Sequence, residues 1–167
     1  AVLRSVLARI GIGLPGNPLS SLVGLIFYSL LVSLRGYRFV ERPAERLSNS
    51  ELLRVDTCWS VVLGFSMVDP VRHVYFQKRH VLFALGAGDP RRAARALAFE
   101  GALLTAGKGR ARLHAREIME QSKALAERTG DPHALGLATL WAGGAAWLRG
   151  DWKICTDLTR QAELIFR

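Results

Sequence analysis

The sequence predicts an all-α protein, and three observations predict it. Four X-Pro pairs, Asn17-Pro18, Asp69-Pro70, Asp89-Pro90 and Asp131-Pro132, each set an N-capping side chain directly before a proline. The Asn or Asp oxygen can accept from an orphan N–H of the first turn, and proline at the first helical position has its φ preset and needs no N–H partner. Gly36, Gly86, Gly107, Gly130 and Gly150 fall where helices opened in this way should end. Alternating β-branched runs are nearly absent, so strands have little to build on.

Taken in order, "AVLRSVLARI" reads as an amphipathic helix, with Arg4 and Arg9 set among apolar residues. "GIGLPGNP" follows, and it contains the G-x-G-x-x-G spacing of a phosphate-binding loop. Such a loop needs a preceding strand, a helix opening within the motif and an acid about 20 residues on. Here a helix precedes it, Pro15 interrupts it and the first acid of the chain is Glu41. Gly11 and Gly13 are therefore expected to end one helix, and Asn17-Pro18 to open the next.

Residues 18–34, "PLSSLVGLIFYSLLVSL", carry no charge. Seventeen residues rise about 25 Å, short of the roughly 30 Å hydrocarbon core of a bilayer. Four serines and Gly24 dilute the stretch, and a small-residue cleavage site of the signal-peptide kind is missing after it. A buried or partner-facing helix is expected over 18–35, with the membrane disfavoured. "SNSE" then gives Ser48 and Glu51 capping-box spacing before "LLRVDTCWSVVLGFSMV". The organisation expected is a helical lead-in over 1–47 and helical repeats over 48–167, paired at about 50–87, 90–129 and 132–167.

The repeat is visible directly. "GDPRRAARALAFEGALLTAGKG" from Gly88 and "GDPHALGLATLWAGGAAWLRGD" from Gly130 superpose at a shift of 42 residues. The shift matches Gly-Asp-Pro, Ala96 with Ala138 and Gly101 with Gly143, and it sets Phe99 against Trp141. A second helix follows each copy, and a helix–turn–helix unit of about 40 residues is the mark of an α-solenoid. No charge interrupts His133 to Leu148, where Leu137, Leu140, Trp141, Gly144 and Leu148 form one stripe. That helix is expected to be buried between neighbours.

The second copy resembles a tetratricopeptide repeat. Gly143 lies at that family's helix-crossing position, Gly150-Asp151-Trp152 resembles its turn followed by an aromatic, and Ala162 falls at its late small position. The first copy departs from the pattern, with a longer turn at "GKGRAR" and Ser122 where Ala162 stands. Over residues 35–167 the chain also resembles the carboxy-terminal helical region of large bacterial serine/threonine kinases, of the planctomycete and myxobacterial type. The marks are Asp56-x-Cys58-Trp59-Ser60, Ser66-Met67-Val68-Asp69, Gln77-x-Arg79-His80 and the Gly-Asp-Pro repeats. The resemblance implies a parent signalling protein with an ATP-binding kinase domain and an ATPase module, of which this segment is the non-catalytic tail. The H-R-D and D-F-G kinase motifs do not occur in it.

The charge is +9 over 167 residues, with arginine supplying 19 of the 23 basic side chains. From Pro70 to Arg116, ten basic residues face only Asp89 and Glu100. The candidate anion or partner patch is Arg91, Arg92, Arg95, Lys108, Arg110, Arg112 and Arg116. Aromatic residues do not interleave it, so stacking on single strands is unsupported. Its bland reading is a solvated, arginine-rich face.

Catalytic chemistry finds no footing. His73 and His80 are seven apart with no acid in their helix, where a metal site would prefer histidines at i, i+4 or a cluster with carboxylates. Asp56 is expected to pair with an arginine or face solvent, and Ser60 and Ser66 have no evident base. Cys58 and Cys155 read as small buried residues in a reducing, cytoplasmic setting, with no cofactor. The expected function is therefore protein interaction, with a protein partner or other domains of the parent chain. The alternative is a basic-patch binder of nucleic acid or anionic lipid. The start without methionine and the apolar end at Leu158, Leu164 and Ile165 suggest a piece of a longer array, with those three side chains partly exposed.

Overall fold

A computed structural model describes residues 2–167, the side chains of Val2 and Arg110 excepted. Among the described residues there are eight α-helices and no strand: α1 (Val2–Arg9), α2 (Pro18–Arg35), α3 (Asn49–Phe65), α4 (Pro70–Ala87), α5 (Pro90–Thr105), α6 (Arg110–Thr129), α7 (Pro132–Arg149) and α8 (Trp152–Phe166). A 3-10 turn at Ala44–Arg46 lies between α2 and α3. The protein is all-α, as the capping prolines and glycines predict. Contacts gather the helices into two compact units, Ala1–Asp89 and Pro90–Arg167.

All four X-Pro pairs open helices. The Asn17 side chain accepts from the Ser20 N–H at 2.8 Å, and the Ser20 hydroxyl accepts from the Asn17 N–H. Asp69 accepts from the Arg72 N–H at 2.9 Å and also pairs with its guanidinium at 3.0 Å. Asp131 accepts from the His133 N–H at 3.0 Å. The capping box expected at Ser48 does not form. Its hydroxyl is shared with Ser50, and the Glu51 carboxylate is drawn off to Arg42 at 3.4 Å. One of the expected helix stops also moves. Gly86 stays inside α4, which closes on Gly88 at φ +78°. Gly88 is held there because the Arg42 N–H bonds to its carbonyl while the Arg42 side chain occupies the space a Cβ would need. Gly107 closes the end of α5 as expected, its N–H donating to the Leu104 carbonyl at 3.0 Å, and Gly109, with φ +59°, opens α6.

In the first unit α4 is the axis, packed by α3 and by α2. Phe76 is fully buried, stacks on Phe65 with ring centroids 5.8 Å apart and receives the Cys58 thiol at its carbonyl. Val55, Val62 and Leu7 complete the deepest layer. Gly24 brings α2 close to α4, since a Cβ there would lie 2.6 Å from the Tyr75 ring. The residues of α2 turned inward are Ser21, Gly24, Tyr28 and Val32, and only Ser21 and Val32 are buried. Of the two expectations for 18–35, a buried or a partner-facing helix, only burial within the chain is not met. One narrow face is covered, while Leu19, Ile26 and Leu34 are 70%, 62% and 76% exposed.

The second unit consists of two helix pairs. Gly101 of α5 faces Ala115 and Met119 of α6, and Ser122 of α6 donates to the Ala94 carbonyl at 2.7 Å. One helix ascends as the other descends, so the pair is antiparallel. Likewise Gly143 of α7 faces Cys155, Leu158 and Thr159 of α8, while Gly136 faces Phe166. A side chain at Gly101 would overlap Met119, and one at Gly143 would press on Thr159 at 3.2 Å. Helix α5 also packs on α7, where the Phe99 and Trp141 ring centroids are 4.1 Å apart. Gly101 and Gly143, matched by the 42-residue shift, each lie where their helix meets the one that follows it. Helix α7 departs from the expected burial. Its inward residues are small, Ala134, Ala138, Ala145 and Ala146 among them. The stripe of large residues is half-buried, and Leu148 is exposed.

Candidate functional site

The glycine turn is built as an acceptor. Arg54 Nε donates to the Ile10 carbonyl at 3.0 Å, Arg79 Nη1 to the Gly13 carbonyl at 3.1 Å and Arg72 Nη2 to the Pro15 carbonyl at 3.2 Å. A phosphate cradle presents N–H groups to its ligand. Here the loop gives up its carbonyls to three guanidiniums, and Arg79, mostly buried, also donates to the Tyr75 hydroxyl at 2.8 Å. The same guanidinium lies over the Tyr28 ring, 5.1 Å from its centroid.

His73, His80 and Cys58 are interior, while Cys155, expected to be buried, is only half-buried. His73 Nδ1 lies 2.8 Å from the Val62 carbonyl, and fully buried His80 packs beside Trp59 and Gln77. Among the described residues no three His, Cys, Asp or Glu side chains gather as a metal would need. Burial pushes the Cys58 thiol up to about 12, only partly opposed by the nearby Arg79 cation. Its stabilising effect is complete below the ordinary thiol value of 9.0 and is lost as pH rises towards about 12. Alkylation of the native protein at about pH 8 should therefore label half-buried Cys155 and spare Cys58 until the chain is unfolded. Equal labelling of both, read by peptide mass, would contradict this burial.

The basic patch is divided by the fold. Arg91 is exposed and lies 3.6 Å from Asp131, while Arg92 and Arg95 are half-buried on α5. Lys108 is exposed in the turn, and the Arg110 side chain lies outside the described residues. Arg112 and Arg116 are brought together on an open groove of about 740 Å³ that also takes in Leu113, Met119 and Arg149. Arg149 was not foreseen, since it arrives through the packing of α7 on α6 and not through sequence spacing. Two of these three cations already have partners, Arg116 with Glu120 at 2.9 Å and Arg149 with Asp151 at 2.7 Å.

A second groove, of about 340 Å³, lies between α6 and α8. Ala98 of α5 and Leu135, Ala138 and Ala142 of α7 line it, joined by Leu158 and Ile165 of α8. Its polar residues are Glu120, Ser122, Lys123, Glu127, Thr139 and Gln161, with Lys123 and Glu127 paired at 3.7 Å. Leu158 and Ile165, two of the residues expected to stay partly exposed, are half-buried here. Leu164 is 66% exposed and stands outside the groove. The arrangement suits binding: an apolar trough edged by a few charges, on rigid helices.

Compared with family models, with curated proteins and with solved structures, this chain matches none. The class that the fold defines is all-α, built in its second unit from antiparallel helix pairs.

Proposed function

We propose that residues 90–167 are a divergent helical repeat of the tetratricopeptide kind, and that the groove between α6 and α8 holds an amphipathic helix of a protein partner. The observation that carries the reading is the apolar lining of that groove, Ala98, Leu135, Ala138, Ala142, Leu158 and Ile165, bordered by Glu120, Lys123 and Glu127. A helix with anchors at i, i+3 or i+4 and i+7 meets such a trough with its apolar face and the border with its charges. The repeat supports the same reading, since Gly101 and Gly143 occupy equivalent crossings and Phe99 meets Trp141 across the pairs. The segment acts by display and not by catalysis. In the parent protein, for which the resemblance suggests a bacterial serine/threonine kinase, the partner helix comes from another domain or another chain.

The test is selection from a displayed library of helical peptides, followed by affinity measurement. Selected peptides should share apolar anchors at helical spacing. Leu158→Glu should weaken them at least about tenfold, because a carboxylate would then sit unpaired in the trough. Recovery of no such peptide, or equal affinity for the variant, removes the reading.

A further inference from the structure

Helix α2 is turned the wrong way for a helix that meets only its own unit and water. At 100° per residue, Ser21, Gly24, Tyr28 and Val32 make one face, and this small, partly polar face is the one set on α4. On the opposite side Leu19, Val23, Ile26, Phe27, Leu30 and Leu34 form a continuous stripe, every one of them more than half exposed. An apolar stripe of this length marks an interaction surface.

The charges around it choose the occupant. Residues 1–40 contain four arginines and no acid. The Arg4 guanidinium lies 3.9 Å from where a Cβ of Gly16 would stand, just before the N-cap of α2, and exposed Arg38 follows its other end. If two copies met through this stripe, cationic ends would face cationic ends in either a parallel or an antiparallel arrangement, with no acid of this segment to relieve them. An anionic lipid surface meets the stripe with acyl chains and the arginines with phosphates.

We infer that α2 is a membrane-surface helix, whose outward stripe enters the interfacial layer of an anionic bilayer while Arg4 and Arg38 engage headgroups. It lies in the plane of the membrane. Spanning would pull it from α4, separating Tyr28 from Tyr75 and from the Arg79 guanidinium. Helices of this kind combine buried apolar area with attraction to anionic lipid.

The test is co-sedimentation of the chain with vesicles of phosphatidylglycerol and phosphatidylcholine, against vesicles of phosphatidylcholine alone. The chain should sediment with the anionic vesicles and be released at high salt or by alkaline extraction. The doublet Ile26→Gln with Leu30→Gln should lower partitioning at least about tenfold. Arg4→Ser with Arg38→Ser should remove the preference for anionic lipid. Circular dichroism verifies that each variant keeps its helix content, and Leu19→Gln with Leu34→Gln replaces a doublet that does not. Failure to sediment, or unchanged partitioning of the glutamine variants, overturns the inference. Retention after alkaline extraction overturns the in-plane placement. A soluble dimer that Ile26→Gln with Leu30→Gln makes monomeric, without vesicle binding, assigns the stripe to a second copy instead.

Discussion

Arg79→Ala is expected to destabilise the protein by about 3–5 kcal/mol, the sum of two orphaned partners and lost ring contacts. The guanidinium is mostly buried and donates to the Gly13 carbonyl and the Tyr75 hydroxyl. It also lies within 6 Å of the centroids of the Tyr28, Tyr75 and Phe83 rings. Truncation leaves both oxygens without that donor and opens space between α2 and α4. Arg79→Lys should recover only part of the loss, because a single ammonium cannot hold the loop carbonyl and lie flat on the rings at once. Denaturant titration of the three proteins measures this, and a loss under about 1 kcal/mol for alanine would show that the cluster contributes little.

Phe99→Ala should cost about 3–5 kcal/mol, as large aromatic deletions in cores do. Phe99 is 4% exposed, and its ring centroid lies 4.1 Å from that of Trp141. Part of the loss belongs to the pair and not to the cavity. A double-mutant cycle with Trp141→Ala should return a coupling of about 0.5–1.5 kcal/mol. Additive losses would mean that α5 and α7 are not joined through these rings.

What the sequence made legible was the local chemistry. An Asn or Asp before a proline needs nothing from the rest of the chain to begin a helix, and α2, α4, α5 and α7 begin where that pair predicts. The match of Gly101 with Gly143 was legible for a similar reason, since each lies where its helix crosses the next. What failed depended on distant partners. Ser48 and Glu51 have the spacing of a capping box, but Arg42 competes for the carboxylate. Gly86 and Gly88 are equal candidates locally, and Arg42 decides between them from more than forty residues away. The apolar run 18–34 announces a helix, but not which side is covered. That depended on Tyr75, a residue of another helix. The groove between α6 and α8 draws on four helices, so no single stretch of sequence displays it.

The three guanidiniums that hold the glycine turn carry a consequence for the order of events during folding. They reach across 44, 57 and 66 residues of chain, from α3 and α4 back to the loop after α1. Closing such long loops is entropically slow, and nothing compensates the closure until the donors are in place. On a ribosome residues 10–15 would leave the exit tunnel before α3 and α4 and could dock only after Arg79 had been made. The apolar stripe of α2 would thus be open to whatever surface lay nearby throughout that interval. For a nascent chain made beside a membrane, contact with lipid can precede the tertiary fold, and the arginine clasp would then close over a helix already in place.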